Sequence, residues 1–149
     1  MKRCGSILNF KAGVSWDGFE GGKSLIGKKI VYRFDTPKEF GGKAVYSSPE
    51  QIFVSSFGAC FITTFLYFRK KSPFSMKSLK VDTKGKLEHN DGKGYRITQI
   101  NASVIVEIED TESVEKVQKC YSLTEKFCPI SQTLKNCILI KLSLKINKL

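Results

Sequence analysis

Apolar and polar positions along this chain switch between a period of two and a period near 3.6, and each switch marks an element. Ile7 to Trp16 and Lys28 to Phe34 alternate as strands do, separated by the turn-rich Asp17-Gly18-Phe19-Glu20-Gly21-Gly22. They predict an N-terminal meander. A loop of Pro and Gly follows, Thr36-Pro37-Lys38-Glu39-Phe40-Gly41-Gly42-Lys43. Ser48 and Gln51 then have the spacing of a capping box, with Pro49 at the first helical position. From Pro49 to Lys70 the pattern is apolar nearly all round, as in a centrally buried helix, and Ser72-Pro73 ends it.

Leu79 to Leu87 and Tyr95 to Ile108 alternate again, joined by the hairpin signal Glu88-His89-Asn90-Asp91-Gly92. The greater length of the second strand predicts a bulge. Residues 112–127 place Val114, Val117, Tyr121 and Phe127 at helical spacing, with Asp110 or Thr111 as the cap. A last half-buried strand carries Ile138, Ile140, Leu142, Leu144 and Ile146. With no repeat, low-complexity tract or linker, these elements predict one α+β domain over residues 1–149. That length can bury a core without disulfide staples.

Charge and cysteine content narrow the setting. Lys and Arg number 25 against 14 acidic residues, a formal net charge of +11. The lysines are scattered, with only short clusters such as Lys28-Lys29 and Arg69-Lys70-Lys71, and no nucleic-acid motif surrounds them. A solvated basic surface is the reading, ahead of nucleic-acid binding or steering of anionic small molecules. An odd set of five cysteines, with no signal peptide ahead of them, points to a reducing cytoplasm. Residues 52–68 are the longest apolar stretch, but Ser55, Ser56, Gly58, Thr63 and Thr64 interrupt it, so it reads as a core helix rather than a bilayer span.

Two of the cysteines have settings that bear on chemistry. Cys60 lies inside the apolar helix, with Ser56, Thr63 and Thr64 at i−4, i+3 and i+4 forming a narrow small and polar stripe. It is either an inert buried thiol or, with a cation or donor beside it, a reactive one. Cys128 opens Cys128-Pro129-Ile130-Ser131-Gln132-Thr133-Leu134, where a helix start would favour a low-pKa thiolate; the alternative is a cysteine standing in for Ser as an ordinary cap. Cys4, Cys120 and Cys137 read as structural or incidental. The single histidine, His89, sits beside a hairpin turn and offers little to a Cys-His or Ser-His hydrolase. No zinc spacing and no Walker or dinucleotide pattern is present, so neither a metal nor a nucleotide cofactor is expected.

Together, Thr36-Pro37-Lys38-Glu39-Phe40-Gly41-Gly42, Ser48-Pro49-Glu50-Gln51-Ile52-Phe53, Ala59-Cys60-Phe61 and the later Cys128-Pro129-Ile130-Ser131-Gln132 resemble the osmotically inducible protein C and organic hydroperoxide resistance family (OsmC/Ohr). The order of elements agrees over essentially the whole chain. The resemblance implies an OsmC-like α+β fold, two antiparallel sheets around a long central helix, assembled as an intertwined homodimer with active sites at the subunit interface. It further implies a peroxiredoxin-like, antioxidant stress-response enzyme that reduces organic hydroperoxides. Cys60 would be the peroxidatic thiolate, Cys128 the resolving thiol, and an external dithiol, lipoyl in the organic hydroperoxide branch, the reductant.

Glu50 matches the family glutamate that orients an activating arginine. Ten residues along one helix is a rise of about 15 Å, so Glu50 would serve the Cys60 of a partner chain across antiparallel helices. As an acidic first-turn residue it also suits the helix dipole, whatever its catalytic role. The chain departs from the family in one respect: Trp16 to Lys23, the region matching the arginine loop, contains no arginine. Lys23, Arg33 and Lys38 are the available cations, and a lysine lacks the bidentate fork of a guanidinium. Phe53, Phe57 and Phe61 are compatible with an organic rather than a hydrogen peroxide substrate, or are simply core, and the alternative functions are binding of small apolar ligands with little turnover and a basic surface for nucleic acid.

Overall fold

The computed structural model describes residues 5–149, so Arg3 and Cys4 lie outside the described residues. These residues divide into two compact units, the first ending at Ile52 and the second running from Phe53 to Leu149. The first is an antiparallel meander of β1 (Gly13–Trp16), β2 (Gly21–Ile26) and β3 (Lys29–Asp35). The middle strand begins where the sequence pattern reads as turn. Gly21 and Gly22 open β2 because the backbones come too close for a side chain. A Cβ on Gly21 would lie 2.2 Å from the Phe34 carbonyl oxygen, and one on Gly22 2.3 Å from that of Ser15. The expected strand from Ile7 is reduced to its last four residues. Ile7 and Phe10 are 85% and 90% exposed, and alternation without a partner strand makes no ladder.

The loop after β3 is tied down locally. The Asp35 carboxylate, largely buried, accepts the backbone N–H groups of Thr36 at 2.8 Å and Val45 at 2.9 Å around a 3-10 turn at Lys38–Phe40. The capping box forms as expected. Ser48 N–H donates to Gln51 Oε1 at 2.9 Å and Gln51 N–H to Ser48 Oγ at 3.2 Å, starting α1 (Pro49–Lys71).

The second unit carries most of α1, then β4 (Ser78–Asn90), β5 (Gly94–Ile108), α2 (Val114–Phe127), α3 (Pro129–Leu134) and β6 (Leu139–Lys148). The α+β class holds, with one departure from two purely antiparallel sheets. β4 pairs antiparallel with β5, whereas β6 runs parallel to β5. The two helices between β5 and β6 carry the chain back to the starting end of the sheet, as a parallel connection requires. The anticipated bulge is present on β5: Lys86 faces Gln99 and Leu87 faces Ile97, which leaves Thr98 as the extra residue. The cap of α2 is Ser113, whose Oγ accepts from Lys116 N–H at 3.4 Å, and not Asp110 or Thr111.

Alternation on β5 turns Ile100, Ala102, Val104, Val106 and Ile108 inward, where Phe57, Phe61 and Phe65 of α1 are buried at fourfold spacing. Gly58 serves this helix–sheet contact rather than the helix–helix approach its size suggests: a Cβ there would lie 3.2 Å from Thr83 Cγ2. By length and composition alone α1 could cross a membrane, its 18-residue window reaching a mean hydropathy of 1.5, a property that the core helix of a soluble protein shares. Its Val54, Phe57, Gly58, Phe61 and Phe65 form a buried stripe within the chain.

Candidate thiol site

Cys60 projects from the middle of α1, half-buried beside the Phe57 and Phe61 stripe. Cys128 occupies the junction of two helices. Its N–H closes α2 on the Thr124 carbonyl at 2.8 Å, and its own carbonyl accepts the Gln132 N–H of α3 at 2.9 Å. Pro129 at the first position of α3 makes the break between the helices sharp. The fold thus brings together two sulfurs 68 positions apart in sequence, with the buried Cys128 thiol donating to Cys60 Sγ at 3.5 Å. Both cysteines are free thiols. A disulfide needs an S–S separation near 2.05 Å, so a modest shift of either side chain would close the bond.

The expected low-pKa character of Cys128 is not found. Burial pushes its thiol up to about 11, the neighbouring Cys60 adds to the rise, and the backbone N–H groups of Ser131 and Ile130 only partly offset it. One turn of helix start does not outweigh complete removal from water. By distance the Cys128 side chain makes no capping hydrogen bond and donates to Cys60, although the Ser131 and Ile130 N–H groups at the start of α3 lie close enough to act on it. It is a protonated donor at neutral pH. The small polar stripe around Cys60 is also satisfied locally: Ser56 Oγ donates to the Phe53 carbonyl at 2.6 Å and Thr63 Oγ1 to the Cys60 carbonyl at 3.0 Å.

Of the other described thiols, Cys120 has a structural setting and Cys137 an incidental one. Cys120 is buried, donates to the Phe65 carbonyl at 3.3 Å and is pushed up to about 11 by burial. Cys137 is exposed, and its carbonyl accepts from Arg96. His89 stacks edge-on against Tyr95, at 4.9 Å between ring centres, at the far end of the β4–β5 hairpin. No group of three or more His, Cys, Asp or Glu side chains able to hold a metal occurs among the described residues.

Glu50 lies in the first turn of α1, where its Oε2 is buried with no hydrogen-bond partner among the described residues. It lines a cavity of about 440 Å³ in the first unit, walled by the rings of Trp16, Phe19, Phe34 and Phe40. None of the three cations considered from sequence lines it. Lys23 pairs with Arg33 across β2 and β3, Arg33 lies 6.0 Å from the Tyr46 ring centre, and Lys38 is exposed on the 3-10 turn. The cavity escapes a reading of the sequence because its walls come from β1, the β1–β2 turn, β3 and the start of α1, which share no local pattern. The one local trace is the run of aromatic residues at 16, 19, 34 and 40.

Residues 41–143 match the family model of OsmC-like protein. The chain is similar to the organic hydroperoxide resistance protein-like 2 of Staphylococcus saprophyticus, 28% identical over 124 residues that cover 74% of this chain and 77% of the relative. In fold it is similar to an OsmC-like protein from Mycoplasma pneumoniae, with a TM-score of 0.80 at 16% identity over 94% of this chain and 98% of the other. It is also similar to the organic hydroperoxide resistance protein OhrB of Bacillus subtilis, with a TM-score of 0.64 at 22% identity over 91% and 98%. The matched model spans both cysteines and Glu50, and on that extent the chain belongs to the OsmC/Ohr family.

Proposed function

We propose that the protein is a thiol-dependent peroxidase that reduces organic hydroperoxides, and the observation that carries this is the 3.5 Å approach of the Cys60 and Cys128 sulfurs. The Cys60 thiolate attacks the terminal oxygen of the O–O bond. That bond breaks, the departing alkoxide takes a proton and leaves as an alcohol, and Cys60 is oxidised to a sulfenic acid. The Cys128 sulfur then attacks the sulfenic sulfur, losing its proton as hydroxide leaves, so that one water and a Cys60–Cys128 disulfide result. An external dithiol, lipoyl being our candidate, reduces the disulfide to two thiols and is itself oxidised. No bound cofactor takes part.

The high pKa of Cys128 fits a division of labour. A thiol held protonated does not compete for peroxide, and it stands within reach once Cys60 has become an electrophile. Phe57 and Phe61 are fully buried core residues facing β5, so they do not bear on the choice of peroxide. We further propose that the working unit is a cytoplasmic homodimer, in which Glu50 of one chain positions a cation for Cys60 of the other.

Peptide mapping after one equivalent of cumene hydroperoxide tests the mechanism. The expected product is a Cys60–Cys128 bridge ahead of any bridge to Cys4, Cys120 or Cys137. A dominant bridge to one of those three, or Cys60 advancing to sulfinic acid with no bridge, overturns the two-cysteine cycle.

A further inference from the structure

The sheet of the second unit has two faces of different chemistry. Thr83, Ala102 and Leu142 turn toward α1, and their neighbours along each strand turn the other way. On that outer face Lys84 of β4, Asn101 of β5 and Lys141 of β6 form one rung, and Asp82, Ser103 and Ser143 form the next. These six residues line a shallow groove of about 350 Å³. Neighbouring strands lie about 4.8 Å apart, so the two lysines flank Asn101 from backbones about 10 Å apart, a gap that their flexible stems can close on a ligand. The acceptors in the groove are already engaged. Asp82, its one carboxylate, is held by Lys80 Nζ at 2.9 Å, and Gln99 Nε2 donates to Asn101 Oδ1 at 2.6 Å, which leaves the Asn101 amide NH2 as the end without a partner. Lys84 and Lys141 make no ion pair among the described residues, and the Ser103 and Ser143 hydroxyls have no partner there either.

We infer that this groove binds a small oxyanion, inorganic phosphate or the phosphate of a soluble monoester, held between Lys84 and Lys141 with the Asn101 amide and the two serine hydroxyls donating to it. A tetrahedral oxyanion offers acceptor oxygens in several directions, and hydrogen bonds to it from charged donors are the strong ones. A nucleic-acid strand fits the same face less well. Asp82 and Glu107 interrupt the lysines along it, and the outward residues of β4 from Ser78 to Lys86 and their partners on β5 and β6 include no aromatic ring for bases to stack on. The groove lies on the far side of the sheet from α1 and Cys60, so its occupant is not the peroxide.

Inorganic phosphate is titrated into the isotope-labelled, reduced protein at constant ionic strength, with sodium chloride as the control, and backbone amide shifts are followed by NMR. Saturable shifts centred on residues 82–84, 101–103 and 141–143, absent with chloride, are the expected result. Lys84→Gln and Lys141→Gln should each weaken the midpoint about fivefold, the worth of an exposed ion pair. Lys145→Gln removes the same charge from β6 outside the groove and should leave the midpoint unchanged. Unchanged shifts elsewhere in the spectra confirm the fold of all three variants. A loss in Lys145→Gln equal to the other two would reduce the binding to overall charge and overturn the inference. So would shifts that do not saturate, or tighter binding of a short DNA duplex through all three lysines alike, which would make this face a polyanion surface instead.

Discussion

The two units of the chain differ in what they bury. Every buried apolar side chain of the described residues, from Val54 to Cys128, lies in the second unit. In the first unit the buried non-glycine residues are Ser24, Asp35 and Ser48, while Val14, Trp16, Phe19, Ile26 and Val31 are 50% or more exposed. The second unit satisfies its own hydrophobic pattern. The first leaves several apolar residues of its three-stranded sheet exposed, which is how a surface awaiting another copy is built. This contrast supports the homodimer proposal more directly than any feature of α1, since Gly58 is occupied by β4.

The comparison breaks most decisively at the thiols. Peroxide reduction should fall to background in Cys60→Ser with an unchanged melting temperature, because the hydroxyl preserves the packing and cannot form a sulfenic acid. Turnover retained in that variant would rule out Cys60 as the peroxidatic thiol. Cys128→Ser should consume one equivalent of peroxide and stop, leaving a sulfenic acid that dimedone traps for mass spectrometry. A full cycle with a dithiol would show that Cys128 is dispensable.

Packing substitutions sharpen the same contrast with a smaller effect. Phe65→Ala removes a fully buried ring of the second core and should cost about 3–5 kcal/mol by urea unfolding. Val14→Ala, at a position 65% exposed, should change chain stability by less than about 0.5 kcal/mol. It should nevertheless weaken self-association measured by sedimentation. Equal stability losses in the two variants would mean that the first unit has a core of its own.

Much of this was legible in the sequence, for identifiable reasons. The capping box at Ser48 and Gln51, the alternation of Ile100 to Ile108 and the break at Cys128-Pro129 are local signals, and the physics that forms them is local as well. The pairing of Cys60 with Cys128 came from family resemblance, because no spacing rule connects residues 68 positions apart. What stayed hidden depends on tertiary contact. Gly21 and Gly22 read as a turn because glycine favours turns, yet they are required by the closeness of Phe34 and Ser15. The raised pKa of Cys128 has no local signal, because a helix start is visible in a sequence and full burial is not. The parallel entry of β6 likewise depends on where two helices return the chain.

A further expected effect lies at alkaline pH and belongs to the second unit alone. Burial raises the thiols of Cys120 and Cys128 from an ordinary value of 9.0 to about 11. The unfolded chain therefore loses these protons near pH 9 while the folded chain keeps them to about pH 11. Within that window the folded state binds more protons than the unfolded one, and stability falls as pH rises. Below pH 9 the contribution is complete, and above about 11 no more of it is lost. Tyr121, raised to about 12 by burial and by Glu125, adds a further decline at the upper end, so the variant difference is the proper readout. Urea midpoints of the reduced protein from pH 8 to 11.5 should drop less steeply in Cys128→Ser, with a further flattening when Cys120→Ser is added. Identical slopes in all three proteins would show that these thiols are hydrated, and would remove the basis for treating Cys128 as a protonated resolving group.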